Sequence, residues 1–409
     1  MNGCCIRAGA LLSVLMAGCS ASHPSANSAT AAAPALTFAP STDIRRDCAR
    51  CYEPAVAVDA QGRIFIAAWR EGGVAVSEDG GRTFAVRPVP QPASPTPAQA
   101  GGASDDIVNV APWGTLYYTE LWADLGGDAG AGVHFAASDD GGRNWTQNQF
   151  IQVRVQPSSL AIESDRQWLS FEGDATIHML FNCGDSVLAC MITSHDRGQT
   201  WSAARSVVLP LAHSFPSPLG APADADGIWL APFYALPQLS PFGARSIGVV
   251  SSRDGGRSFA TSTVYTHPAG EGTGGGGWPA NTILRDGSWV VGWATSDGRL
   301  WLAASRDEGR SWSAPVVRGL DQSGNAGSPW LEARDDGGFD ALWFTYGSSG
   351  PGVRLGRYRA DLALQSLASV AEIGGDVSDY PQFAHLPDGR VVTAYLTPDG
   401  RLRAAVSNR

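Results

Sequence analysis

Glu53, Asp105, Asp106, Asp165 and Asp379 stand at the heads of short apolar runs, and Arg45, Arg46, Arg50, Arg70 and Arg166 lie close to them in the sequence. Carboxylates held near one another raise each other's pKa, and arginines bind anions bidentately. That combination suits sugar chemistry or the recognition of acidic sugars. The competing reading is that Asp and Glu ahead of a strand simply solvate a rim of loops. Which reading holds depends on whether the fold brings these residues together.

Other chemistries find less support. The chain has no G-x-S-x-G elbow, phosphate-binding Walker loop, H-E-x-x-H pair or dinucleotide fingerprint, and its seven histidines show no metal-ligand spacing. Neither a cofactor nor a metal is expected. Cys48 and Cys51 form a C-x-x-C pair, and Cys183 and Cys190 flank a turn. A disulfide within each pair is the first reading and a four-thiolate zinc site the second.

The elements that must position these groups are set by a repeated stretch. Ser77 to Phe84 reads S-x-D-x-G-x-x-[FW] and returns at Ser138, Ser194, Ser252 and Ser305, at intervals of 53 to 61 residues. Self-similarity at such a period marks a repeat architecture. Around each copy lie four short runs rich in β-branched and aromatic residues, such as Pro54–Val58, Arg63–Trp69, Gly73–Ser77 and Thr83–Val89, separated by Gly and Asp turns. Each unit is predicted to be a four-stranded meander. Within the box, Ser and Asp bond the backbone of a tight turn, Gly supplies positive φ, and the aromatic packs between sheets. The positions concerned are Ser77, Asp79, Gly81; Ser138, Asp140, Gly142; Ser194, Asp196, Gly198; Ser252, Asp254, Gly256; and Ser305, Asp307, Gly309. A sixth unit from Pro329 has an eroded box at Arg357–Asp361, and a seventh from Pro381 supplies only three strands.

The fold class expected is therefore all-β: a single closed β-propeller of seven four-stranded blades, with Ala35 to Ala39 supplying the last strand. Six blades with an irregular extra sheet is the alternative. Closure by a strand from the other terminus removes an exposed sheet edge. The long links Pro90–Ser104, Ala123–Ala131, Ala235–Ala244, His267–Trp278 and Gly347–Gly352 fall on the face opposite the boxes, which is where a ligand is expected.

The boxes resemble the Asp-box, or BNR, repeat of sialidase-like propellers, and the likeness covers nearly the whole chain after residue 34. It implies an arginine triad, an aspartate acid/base and a Tyr/Glu nucleophile pair. Ser378-Asp379-Tyr380 looks like the nucleophile segment of the last blade, and Arg70 falls at a family-like place. Glu53 or Asp106 is then the accompanying acid. Tyr52-Glu53-Pro54 stands where the family has Arg-Ile-Pro, so the first arginine of the triad is missing.

Residues 1–18, with Arg7 ahead of the apolar run Ala8–Ala17 and ending in Leu15-Met16-Ala17-Gly18-Cys19, resemble a bacterial lipoprotein signal peptide. Cys19 is the expected lipid carrier, Ser20 fits outer-membrane sorting, and the Ala/Ser/Pro-rich residues 19–34 read as a flexible tether to the propeller of residues 35–409. A formal net charge of −10 makes the chain a poor ligand for nucleic acid. The expectation is an exported, monomeric envelope lipoprotein, held to the membrane by its lipid alone, that recognises a glycan on the long-loop rim. An active exo-sialidase or other glycoside hydrolase, and a protein-interaction scaffold in the envelope, are the alternatives.

Overall fold

A computed structural model describes residues 36–46, 48, 51–69, 72–92, 103–122, 132–152, 167–183, 188–207, 216–219, 222–225, 227–235, 246–268, 278–295, 299–319, 324–347, 350–372, 381–397 and 399–408. Pro34–Arg409 forms one compact unit. Residues 1–34, on which the expected signal peptide, lipid-bearing Cys19 and tether fall, lie outside the described residues.

The predicted meanders form seven antiparallel sheets arranged in a ring. Blade 1 runs outward through Cys51–Val58, Ile64–Trp69, Gly73–Ser77 and Ala85–Pro88. Blade 2 is Ala103–Val110, Leu116–Trp122, Gly132–Ser138 and Gln147–Gln152. Blade 3 is Trp168–Glu172, Thr176–Cys183, Leu188–Ser194 and Arg205–Val207. In blade 4 the inner position is split between Pro216–Leu219 and Ala223–Ala225, which both pair with Ile228–Ala235 ahead of Ser246–Ser252 and Ala260–Thr266. Blade 5 is Ala280–Ile283, Trp289–Ala294, Arg299–Ser305 and Val316–Gly319. Blade 6 is Gly324–Ala333, Phe339–Gly347, Gly350–Tyr358 and Leu364–Glu372.

Burial follows from stacking blades face to face. A middle strand has a neighbouring blade on both sides, so Gly73–Ser77 and Trp289–Ala294 are buried along their whole length. The outer strand Ala85–Pro88 has lost that cover and is mostly exposed. The core is thus a series of inter-blade layers, such as Tyr117, Phe135, Met179 and Phe181 between blades 2 and 3.

Blade 7 consists of Phe383–His385, Val391–Leu396 and Leu402–Val406, with Thr42–Arg45 as its outermost strand. Closure by the N-terminal segment is as expected, but the ladder lies C-terminal to Ala35–Ala39. Phe38 makes only an isolated bridge to Ser407, whereas Thr42 pairs with Ala404 and Asp43 with Arg403. Two features account for the shift. Pro40 lacks the N–H a continuous ladder needs. Asp43 then fixes the register through Arg403 at 2.6 Å and Arg401 at 3.2 Å, while Thr42 donates to the Gly81 carbonyl at 2.8 Å.

Candidate functional site

The boxes are structural, and their geometry is repeated. Ser77 Oγ accepts from Gly81 N at 2.8 Å and donates to Asp79 Oδ1 at 2.8 Å. Asp79 in turn accepts from Arg82 N, Thr83 N and Thr83 Oγ1. These donors, Thr83 Oγ1 foremost, hold its carboxyl down at about 2. Asp140, Asp196, Asp254 and Asp307 are held at about 2 by the same kind of donor set. Trp145 of blade 2 donates to the Pro88 carbonyl of blade 1 at 3.0 Å, and Trp312 of blade 5 to Ser262 of blade 4 at 3.3 Å. The hydrogen bonds of the box side chains are thus committed to turns and to neighbouring blades. In blade 6, Asp361 retains a simpler turn, accepting from Ala363 N at 3.1 Å with Leu362 at φ 64°.

The carboxylates at the strand heads occupy matching backbone positions. Glu53 has φ 43° and Asp105 φ 54°, and each sits where the register of its inner strand shifts, between Cys51 and Ala55 and between Ser104 and Ile107. Positive φ is costly for residues other than glycine, so these bulges are specifically built. The two inner strands pack side by side. Glu53 is 1% exposed and Asp106 2%, so neither is a loop group solvating a rim. The same level of the ring carries Gln167, which donates to the Asp105 carbonyl, and Gln382, which accepts from Val56 N at 3.3 Å. Arg70, Asp165, Arg166, Asp379 and Tyr380 lie outside the described residues. Arg45 ends the outer strand of blade 7, and Arg46, just beyond it, is paired to Asp43.

A buried polar line continues outward from Asp106 across blade 2. Tyr118 is driven well above its ordinary range by burial and by the neighbouring charges of Asp106 and Glu120. Glu120 lies 3.1 Å from His134 Nδ1, and His134 Nε2 lies 2.8 Å from Asn148 Oδ1. This network ties the inner strand to the outer one between blades 1 and 2.

Cys48 and Cys51 form a disulfide with Cα atoms 5.1 Å apart, and Cys190 is also disulfide-bonded. Sulfurs so oxidised do not make the four-thiolate zinc site. The Cys183 side chain lies outside the described residues.

The site that sequence reasoning missed is in the central channel. A cavity of about 330 Å³ is lined by the inner strands and strand heads of blades 3 to 6, including Trp168, Trp278, Asn281, Trp330 and Glu332. Trp168 of blade 3 meets Trp330 of blade 6 across the axis, with ring centroids 5.7 Å apart. The Glu332 side chain is 30% exposed, and Trp330 Nε1 donates to its Oε1 at 3.4 Å. Desolvation by the surrounding strands and indoles pushes its carboxyl up to about 7. Its Oε2 lies 3.4 Å from His385 Nδ1 of blade 7, and His385 Nε2 lies 3.1 Å from Asp340. Asp340 is fully buried and pairs with Arg334 at 2.8 Å and Arg357 at 3.2 Å. Burial opposes the charge of His385, but the Asp340 hydrogen bond and the Glu332 charge outweigh it and raise its pKa. The clue in the sequence is the aromatic-proline pairing Trp278-Pro279 and Pro329-Trp330 at successive strand heads, which also reads as ordinary strand initiation.

Among known proteins, the BNR/Asp-box repeat family matches residues 192–203, the third box. No curated protein matches the chain in sequence. The fold is similar to that of a protein of unknown function from Dyadobacter fermentans (TM-score 0.57, 15% identity, 92% of this chain and 100% of that one). It is also similar to virginiamycin B lyase from Staphylococcus aureus (TM-score 0.52, 11% identity, 91% and 100%). An α-L-arabinofuranosidase from Fusarium graminearum, solved with an iminosugar inhibitor, matches at TM-score 0.52 and 11% identity, over 91% and 98%. Identities this low speak to the fold alone. The chain is thus a seven-bladed β-propeller with five boxes of one pattern, the third of which matches the BNR/Asp-box repeat.

Proposed function

We propose that the protein recognises a carbohydrate, bound in the central channel at the strand heads of blades 3 to 6. One observation carries the reading: Trp168, Trp278 and Trp330 wall a cavity of about 330 Å³ whose lining includes Glu332. That volume falls within the range of small-molecule sites, roughly 300–1,000 Å³. A sugar ring offers a C–H face and a rim of hydroxyls, and flat indoles beside a few fixed polar groups are its complement. In a lipoprotein anchored through Cys19, the channel would be presented to envelope polysaccharides.

The test is a glycan array followed by calorimetric titration. Trp278→Ala and Trp330→Ala are each expected to weaken the best ligand about tenfold, or about 1.4 kcal/mol, measured at a temperature where each variant is folded by circular dichroism. If wild type binds no glycan, carbohydrate recognition is wrong and the protein-scaffold reading replaces it.

Glycoside hydrolysis is a second reading, favoured by the Glu332 carboxyl at about 7, which suits a proton donor at neutral pH. Turnover of fluorogenic glycosides that disappears in Glu332→Gln would support it. Loss in Tyr380→Phe instead would return the chemistry to the last-blade segment.

A further inference from the structure

Resting on the carbohydrate reading, we infer that the channel selects a neutral sugar and disfavours an acidic one, with Glu332 as the residue that makes the distinction. The argument begins with the lining. Around the cavity stand three tryptophans, prolines and alanines, Leu331, Asn281, Thr282 and one acidic residue, Glu332. No arginine, lysine or histidine is among these described lining residues. A carboxylated sugar needs a cation to replace its hydration, and arginine is the usual means.

The nearest cations are already engaged. His385 lies between Glu332 at 3.4 Å and Asp340 at 3.1 Å. Arg334 is held by Asp340 and by Asp336, at 2.8 and 3.0 Å, and Arg357 by Asp340 at 3.2 Å. The acidic residue of the lining is therefore Glu332, and the cations near it are engaged by Glu332 itself and by Asp340. Once ionised, the Glu332 carboxyl can accept hydrogen bonds from sugar hydroxyls and repels a sugar carboxylate bound beside it. The His385–Asp340 pair positions the carboxyl from blades 7 and 6. The inference departs from the acidic-sugar expectation drawn from the rim arginines, because the channel has no such residues among those described.

Matched pairs test it directly: N-acetyllactosamine against its sialylated form, and glucose oligomers against oligomers carrying glucuronic acid. Each pair is titrated at pH 8 into wild type, Glu332→Gln and Glu332→Asp. Wild type should bind the neutral member at least about tenfold more tightly. Glu332→Gln should narrow the gap to about threefold or less by admitting the acidic member, and Glu332→Asp, which keeps the charge, should preserve it. Equal or tighter binding of the acidic member by wild type overturns the inference while leaving carbohydrate recognition standing. An unchanged gap in Glu332→Gln, with the variant folded by far-UV circular dichroism, overturns the role of Glu332. Failure of wild type to bind any member of either pair, or any glycan on the array, overturns both.

Discussion

Single residues in this propeller do two different jobs, and the two respond oppositely to substitution and to pH. Gly81 sits at φ 90°, and a Cβ there would lie 2.6 Å from Val406 Cγ2 of the neighbouring blade. Gly114 has nearly the same φ, 91°, but no heavy atom within 4 Å of its would-be Cβ. Gly81→Ala should therefore cost more than the strain of about 1–3 kcal/mol that Gly114→Ala isolates, as read by denaturant unfolding of the two variants. Glu332 behaves differently because its carboxyl is raised from 4.5 to about 7. Between those pH values the native state keeps a proton that the unfolded chain releases. The stability that Glu332 contributes is full below about pH 4.5 and is lost as pH rises through 7. Asp224, raised from 3.8 to about 7 by desolvation and then by Glu172, acts in the same direction. Melting curves from pH 4.5 to 8 should show wild type losing stability relative to Glu332→Gln, by roughly 2 °C after discounting for partial exposure. The box aspartates, held at about 2, lose their contribution only at the acid end, as pH falls below about 4.

At the level of elements, the blade is legible in the sequence and its joints are not. The four runs of blade 1 match the observed strands because alternation, Gly turns and the box are local signals. The closing strand was displaced from Ala35–Ala39 to Thr42–Arg45, since its register depends on Arg401 and Arg403, residues at the far end of the chain. Asp43→Ala should therefore lower stability only modestly, because both arginines remain a third exposed and solvated. The disulfide Cys48–Cys51 lies between that closing strand and the first inner strand. Closing so short a loop is worth about 2 kcal/mol in the chain-entropy account. Cys48→Ser with Cys51→Ser should lower the denaturant midpoint accordingly, without changing blade content by far-UV circular dichroism.

For the whole molecule, closure of the ring couples the termini. Deleting residues through Arg45 leaves the Leu402–Val406 edge of blade 7 without its partner strand. That variant should aggregate on concentration, measured by light scattering, while Asp43→Ala stays soluble. The same global geometry explains which parts of the candidate site could be read beforehand. Glu53 and Asp106 were recognisable as strand-head carboxylates from their place before the apolar runs, yet their burial follows from the packing of blade 1 on blade 2. Glu332 and His385 lie within correctly read strands, but they meet only because blade 6 stacks on blade 7. Trp168 and Trp330 face each other only because blades 3 and 6 look across one axis. By itself, the sequence determined the repeated blade and the role of the box, since turns and strand alternation depend on residues a few positions apart. Tertiary structure decided the closing register, the wall of the channel and the raised pKa of Glu332, since each depends on groups that ring closure brings together from distant parts of the chain.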